Sequence, residues 1–502
     1  MKKIQILGMV LLAVGVIGTG CNKDLDINSN PNSVTESNIT PELILPNALN
    51  GVGIQSALGY GWLNNWMGYW SPSGSYSPNT EESTYNLTAS FGENKWDGIY
   101  NVLFDLDNVE KRSDSSKMFY VGIAKICKAH LYQNLVDLFG NVPYSEAFNS
   151  AENATPAYDD AKAIYDDLQL QLDTAISIMQ QEDVPTGGES YDIVFHGDQT
   201  LWTKFANTIK LRLLIRQSEV PGFSPTAEIS KITANGAGFL GAGESAEADP
   251  GYLNAEGKQN PYFATYGEDQ NGIAANEYYR ANNYVLNILK DNNDERTAYF
   301  FAPATAPLNA GDPYVGTTYG GAPDVDYGGT RTSNIGAGLV KSFDQPQWIL
   351  TSVESLFLQA EAIARGWLPG DVQTAYETAL RESFSWLGVE DPVETANLYL
   401  EDPDSPLSWD HAGGSPQSQI NFIVFQKYVS LTGINPLEAW NDYRRLGIPS
   451  DNTILSINPA RGSRRIPVRL PYPASEVAVN AENVSNQGEI NYQSTRLFWD
   501  VN

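Results

Sequence analysis

The sequence predicts a mostly α fold, a scaffold of tetratricopeptide-like helical hairpins with a loop-rich insert and few short strands. Three observations predict it. Apolar residues recur at helical spacing in two blocks, about 47–217 and 350–447. Between them, over about 222–347, that period fails and Gly, Pro, Asn, Asp and Tyr become frequent. Small residues stand at facing positions in LFLQAEAIARG and AYETAL, which lets two antiparallel helices approach closely.

The chain opens with Lys2 and Lys3, an apolar run from Ile4 to Ile17, and then Gly18, Thr19 and Gly20 before Cys21. A charged start, a short apolar run and a small-residue exit read as a secretory leader, too short to span a membrane stably. Cys21 directly after the small residues resembles a bacterial lipobox, in which the thiol is lipidated; Gly18 departs from that pattern, where Leu, Ala or Val usually stands. The expected organisation is a leader over 1–20, a lipid-anchored tether over 21–46 and a single body over 47–502. An ordinary cleaved leader with an incidental cysteine is the other reading.

Composition narrows the partners. With 502 residues, 42% of them hydrophobic, the chain can bury a large core. The net charge of −29 leaves no basic stripe to neutralise phosphates and argues against a nucleic-acid partner. There are two cysteines. If lipid consumes Cys21, Cys127 stands alone, no internal disulfide can form, and its apolar neighbours suit a small core residue.

The elements follow in order. LILPNAL, running on to about Leu58, reads as a helix, and an aromatic run from Tyr60 to Tyr76 ends in a Ser/Pro/Gly loop. Trp96, Ile99, Tyr100, Leu103, Leu106 and Val109 share one stripe of the next helix. A second spans roughly Ser116–Phe139 and stops at Gly140. A third covers about Tyr158–Gln181 and a fourth about Thr200–Gln217. The insert carries helical stretches near Ala227–Ala234 and Glu277–Leu289. From about Leu350, two helices flank Gly366–Gly370, and a further pair follows in SQINFIVFQKYVSLTG and PLEAWNDYRRLG, with Pro436 at a helix start. The tail from Asn458 reads mostly as loop.

Motifs for chemistry are few. GAGFLG (Gly236–Gly241) has the spelling of a dinucleotide loop but follows a helix, where the fold of such sites needs a strand before it. His130, His196 and His411 lie far apart, outside any paired ligand spacing. No cofactor is expected. Asp324 and Asp326 in PDVDYGG could contribute to a structural Ca²⁺ site, but the twelve-residue loop motif is absent, and a solvated loop is the favoured reading. No nucleophile motif stands out, and 60 acidic residues make chance carboxylate pairs inevitable.

Several stretches together resemble SusD/RagB-type outer-membrane lipoproteins: the lipobox, YWSPSGSY, WDGIYNVLFDLDNVE, LFLQAEAIARG…AYETAL and EAWNDYRRLGIP…RRIPVRLPYPASEVAVNAENV. The closing motif is the most specific, with Tyr443, Arg444, Arg445, Pro467, Arg469, Pro471, Tyr472, Pro473, Glu482 and Asn483. The resemblance implies a helical scaffold whose loop face binds nutrient, commonly a glycan, as a lid on a SusC-like TonB-dependent transporter at the cell surface. It implies no catalysis. A lipid-anchored glycoside hydrolase, or the same architecture binding peptide, are the alternatives, and the net charge favours a neutral glycan.

Sugar C–H faces stack on aromatic rings while amides and carboxylates bind the hydroxyls around them. The resemblance places ligand contacts in Ser71–Thr84 and in the insert, Gly251–Tyr327. The candidates are Trp66, Tyr76, Asn79, Tyr262, Tyr266, Tyr314, Tyr319 and Tyr327. Trp62, Trp66, Tyr69 and Trp70 at helical spacing also read as one buried stripe. Arg280 is a further polar option, Arg296 more naturally anchors a loop, and Arg444, Arg445, Arg464, Arg465 and Arg469 are expected to pair with carboxylates inside the molecule, contact with a partner barrel being the other reading.

Overall fold

The first helical block begins earlier than the apolar pattern suggests, because Pro41 suits the first turn of a helix and the run beyond it is apolar. In chain order the block comprises α1 (Pro41–Ala57), α2 (Gly61–Trp66), strand β1 (Trp70–Pro72), α3 (Thr80–Thr84), α4 (Glu93–Arg112), α5 (Met118–Phe139), strands β2 (Val142–Pro143) and β3 (Tyr158–Asp159), α6 (Ala161–Gln181) and α7 (Gln199–Arg216). This is a computed structural model that describes residues 39–149 and 152–501. The leader, Cys21 and the tether up to residue 38 lie outside the described residues. Pro41–Asn502 forms one compact unit.

Local chemistry sets the helix ends. Asp160 accepts from the Ala163 N–H and Asp198 from those of Thr200 and Leu201, capping α6 and α7. Gly140, at φ 80°, ends α5 where a side chain would be strained. The expected third helix therefore starts at Ala161 and not Tyr158, whose residues pair with β2. The inward stripe of α4 is buried except for Tyr100, which is half-buried. Cys127 is fully buried on α5, and burial pushes its thiol well above the usual range.

The insert holds α8 (Thr226–Asn235), β4 (Ala246–Ala248), α9 (Pro261–Tyr266), β5 (Tyr279–Ala281), α10 (Asn283–Asp291), α11 (Thr297–Phe300) and β6 (Gln347–Leu350). The second block holds α12 (Ser352–Ala364), α13 (Val372–Leu387), α14 (Pro392–Leu400), α15 (Pro416–Ser430) and α16 (Pro436–Leu446), and the tail α17 (Asp451–Ile454), α18 (Ala474–Val479) and α19 (Ala481–Ser485). The strands form three separate antiparallel pairs, β1 with β5, β2 with β3 and β4 with β6. Gly236 of the GAGFLG stretch caps the C-terminus of α8, at φ 75°, the wrong end of a helix for a phosphate. Among the described residues no helix is long and apolar enough to cross a membrane.

Helices pack in succession, α4 on α5, α5 on α6, α6 on α7, and then α7 on α12, so the two blocks form one scaffold. What joins them is charge as well as apolar area. Arg216 of α7 bonds Asp137 of α5 at 3.1 Å and Glu438 of α16 at 2.6 Å. Arg212 bonds Glu354 of α12 at 3.1 Å and Gln133 of α5 at 2.9 Å. Lys427 of α15 bonds Glu438 and Asp442 at 3.0 and 2.8 Å.

The arginines of the closing motif divide. Arg445 pairs with Glu361 and Asp442, as expected. Among the described residues Arg444 and Arg469 form no ion pair with a carboxylate. Arg444 lies over the Trp440 ring at 3.6 Å and donates to the carbonyls of Asp137 and Val468, while Arg469 donates to the carbonyls of Phe139 and Leu470. Their forks of donors satisfy the last carbonyls of α5, at Asp137 and Phe139, and the loop carbonyls of Val468 and Leu470. Arg464 likewise donates to the carbonyls of Ala460 and Arg461. Arg296 is a loop anchor, buried with Asp294 at 2.6 Å and the Ser383 and Ser430 hydroxyls at 3.0 Å.

Candidate functional site

A two-stranded ribbon brings the two expected loop regions together. In it Trp70 faces Ala281, Ser71 faces Arg280 and Pro72 faces Tyr279. Beyond the ribbon, the Ser73 N–H donates to the Tyr278 carbonyl at 2.8 Å, and the Gly74 N–H to that of Tyr327 at 2.7 Å. The Asp324 N–H returns a bond to the Gly74 carbonyl at 2.9 Å. This clamp requires a bare backbone, since a Cβ on Gly74 would lie 2.1 Å from the Asp324 carbonyl oxygen. Gly74→Ala should therefore force the loops apart and cost about 1–3 kcal/mol, read as a lower unfolding midpoint together with weaker ligand binding.

Two hollows flank the clamp. One, of about 250 Å³, lies between the Ser71–Pro78 loop and the Thr317–Tyr327 loop. The other, of about 590 Å³, is bounded by Asn276, Glu277, Arg280, Arg331 and Asn334. Tyr76 lines both, and Tyr327 lines the smaller. These two rings are 37% and 40% exposed, enough for a ligand to reach a face. The Tyr76 hydroxyl donates to Glu277 Oε2 at 3.1 Å, a bond that raises its pKa, and its ring sits edge-on to Tyr278 at 5.5 Å. Arg280 is held by the Tyr279 carbonyl at 2.7 Å, and burial lowers its pKa. Exposed rings bordered by an amide, a carboxylate and a guanidinium form an apolar platform with a polar rim, suited to a ligand that has C–H faces and hydroxyls.

The other predicted residues sit elsewhere. Trp66 is fully buried, stacked on Phe91 at 5.7 Å and edge-on to Trp62 and Trp440. Tyr262 and Tyr266, 1% and 6% exposed, pack against Trp348 and Trp70 from α9, a helix that Asn260 caps. Tyr319, 2% exposed, donates to Glu82 Oε1 at 3.2 Å. These four rings are corrected to core residues, since burial leaves them no face to offer; Tyr266→Ala and Tyr319→Ala would disturb the fold before they touched a ligand. Asn79 is exposed, but its Oδ1 caps α3 by accepting from the Glu82 N–H at 3.1 Å. Tyr314 is half-buried and lines neither hollow. Asp324 and Asp326 form an exposed turn, the Asp326 N–H donating to Asp324 Oδ1 at 3.0 Å.

Two contributors escaped the sequence reading, Glu277 and Tyr278. The apolar spacing from Glu277 to Leu289 suggests one helix, which hides them. In the structure 279–281 is strand and the helix begins only at Asn283, which the Asn282 side chain caps. The signal that could have found them is the NEYYR run itself, two tyrosines between polar residues with no helical neighbour before them.

Behind the clamp lies an unusual carboxyl. Glu82 is 8% exposed, hydrogen-bonded by Asn65 Nδ2 at 2.5 Å and by the Tyr319 hydroxyl. Burial, with a smaller push from Glu81, raises its pKa to about 7 against the lowering effect of those two bonds.

Known proteins of the same architecture frame this geometry. Residues 31–473 match a family model, SusD-like, described as starch-binding and associating with the outer membrane. A SusD-like protein from Bacteroides thetaiotaomicron is similar over 91% of this chain and 99% of its own, at 24% identity and a TM-score of 0.73. A chitin-binding SusD homologue from Flavobacterium johnsoniae shows the same coverage, identity and TM-score. A SusD homologue from Bacteroides ovatus is 19% identical over 91% of this chain and 99% of its own, with a TM-score of 0.74. At such identities the solved structures show a shared fold. No curated protein matches the chain.

Proposed function

The chain belongs to the SusD-like family of starch-binding proteins that associate with the outer membrane, and from that premise we propose that its loop face captures a neutral oligosaccharide. The observation that supports this reading most is the clamp, which sets the exposed rings of Tyr76 and Tyr327 beside adjoining polar-rimmed hollows. The chitin-binding homologue of the same fold adds weight to a glycan as ligand. In this proposal Cys21 carries the lipid that tethers the protein to the cell surface. The captured sugar passes unaltered to a SusC-like TonB-dependent transporter, and other proteins cut the polymer. The preference for a neutral chain follows from the net charge of −29, which repels an anionic polymer.

The test is a binding series with starch and chitin oligosaccharides, acidic oligosaccharides and peptides. Tyr76→Ala and Tyr327→Ala should each weaken the best neutral ligand by roughly 1–2 kcal/mol, the scale of stacking on an aromatic side chain. Tighter binding of peptide, or release of cut sugar from any polymer, would overturn the proposal. Cys21→Ser should leave the affinity unchanged while releasing the protein from the membrane fraction.

A further inference from the structure

The larger of the two hollows has a buried cation in its wall that the fold leaves partly unengaged. Arg280 is 6% exposed, and among the described residues it forms no ion pair. Its Nε donates to the Gly329 carbonyl at 3.3 Å, and its Nη1 to the Tyr279 carbonyl at 2.7 Å and to Asn334 Oδ1 at 3.4 Å. The other terminal nitrogen, Nη2, has no partner among the described residues. It lies beside Gly329, where an added Cβ would stand 3.1 Å from it, and Gly329 and Arg280 both wall the hollow. Nη2 therefore opens on the hollow, with its hydrogens available to whatever fills it.

Three further features narrow the guest. Glu277 stands close enough for its charge to offset that of Arg280. Its Oε2 accepts from Tyr76 at 3.1 Å, while its Oε1 accepts from no described residue. Arg331, in the same wall, faces Asp326 at 3.7 Å, so the charges around the hollow balance, and a neutral guest keeps a balance that a charged one would upset. Beside these groups Ala274, Ala302, Pro303 and Val325 supply apolar wall. A donor, an acceptor and an apolar wall in one hollow match an acetamido group, whose carbonyl accepts, whose N–H donates and whose methyl is better kept from water. A plain hydroxyl serves either polar group but leaves the apolar wall wet.

We propose that this hollow recognises the acetamido group of an N-acetylhexosamine, its carbonyl on Arg280 Nη2, its N–H on Glu277 Oε1 and its methyl against Ala302 and Pro303, with the sugar ring on Tyr76. The inference rests on the loop face being a glycan site and adds which class of neutral sugar that site prefers. Tyr76 borders both hollows, so a ring stacked on it places one substituent in the larger hollow and leaves the smaller to the rest of the chain.

The experiment titrates the full chain with neutral sugars in matched pairs that differ only by acetamido for hydroxyl: N-acetylglucosamine and glucose, N-acetylgalactosamine and galactose, chitotriose and cellotriose, with maltotriose as a further plain sugar. Calorimetry gives the Kd, and saturation-transfer NMR shows which protons touch the protein. The acetamido member of at least one pair should bind about tenfold tighter than its partner, the equivalent of one added hydrogen bond, with the strongest transfer at its methyl. Arg280→Lys keeps the charge but loses the fork, and Glu277→Gln leaves one acceptor oxygen for two donors, so each should shrink that ratio. Glu277 is exposed, so its variant carries the test should Arg280→Lys fail to fold. Plain sugars binding as tightly as their acetamido partners in every pair, a ratio unmoved by the folded variants, or tighter binding of glucuronate than of N-acetylglucosamine would overturn the inference. Maltotriose or cellotriose binding without any acetamido sugar would overturn it while leaving the glycan reading in place, and failure of every neutral sugar to bind would overturn both.

Discussion

Arg216→Leu should lower the stability of the folded chain by about 3–5 kcal/mol, the cost of leaving buried charges without their partner. Arg216 is 1% exposed and is shared by Asp137 of α5 and Glu438 of α16, so the substitution strands two carboxylates in one step. Burial alone would raise Glu438, yet Arg216 and Lys427 hold it well below the ordinary carboxylate range. With Arg216 gone, Lys427 still reaches Glu438, and Asn441, Tyr165 and Trp499 still bond Asp137. Those survivors keep the loss from growing further. The measurement is a denaturant midpoint followed at one wavelength for tryptophan and one for helix content, since Trp499 and Trp440 sit at this junction. Adding Glu438→Gln to Arg216→Leu should recover part of the loss, because one stranded charge is then removed. A shift under about 1 kcal/mol would mean that the junction behaves like a surface pair and that apolar contacts alone hold the blocks together.

Why such a junction was hard to see in the sequence is instructive. The period of apolar residues marked α4, α6 and α13, because each buries one face and leaves the other wet, and apolar runs marked α5 and α12, which are buried on nearly every side. It also marked α7, although that helix is buried nearly all round and carries Lys210, Arg212 and Arg216 inside. A charged residue at helical spacing reads as a solvated face unless its partners are known, and those of Arg212 and Arg216 lie some 80 to 220 positions away. Only the crowding of arginines near 444–469 hinted at internal pairing, and there the structure chose carbonyls and rings for Arg444 and Arg469.

The site was legible in its regions but less so in its residues. The Ser71–Thr84 loop and the insert do meet, through β1 and β5. Within them, tyrosines among Gly, Pro and Asn read as exposed, yet Tyr262 and Tyr266 ride on a short capped helix and Tyr319 reaches a buried carboxyl. Composition distinguishes loop from helix well, whereas the side of a loop that faces solvent depends on long-range contacts such as the Gly74 clamp. Tyr76 and Tyr327 are exposed because that clamp holds their backbones at the rim.

A different long-range contact, that of Tyr319 with Glu82, sets the last expectation, which concerns pH. Glu82→Gln should leave stability unchanged near pH 4 and raise it by about 3 kcal/mol at pH 8. The sign follows from proton counting. Glu82 in the folded chain holds its proton up to about pH 7, against an ordinary value of 4.5. Below 4.5 both folded and unfolded chains carry the proton. Between the two values only the folded chain does, so stability falls as pH rises, and above 7 the whole difference has been lost. Glutamine removes that loss while keeping an oxygen to accept from Tyr319 and Asn65. Turning the Asn65 amide would also let the protonated acid donate to Asn65 Oδ1, which otherwise lies buried without a partner among the described residues. The consequence reaches the loop face, because Tyr319 belongs to the chain segment whose Thr317, Thr318 and Gly321 wall the smaller hollow. An ionised Glu82 strains that wall from behind, so ligand affinity of the native chain should decline as pH rises through 7 while that of Glu82→Gln stays level. Unfolding midpoints and ligand titrations of both proteins from pH 4 to pH 8 provide the check, and parallel curves for the two would remove Glu82 from any part in either.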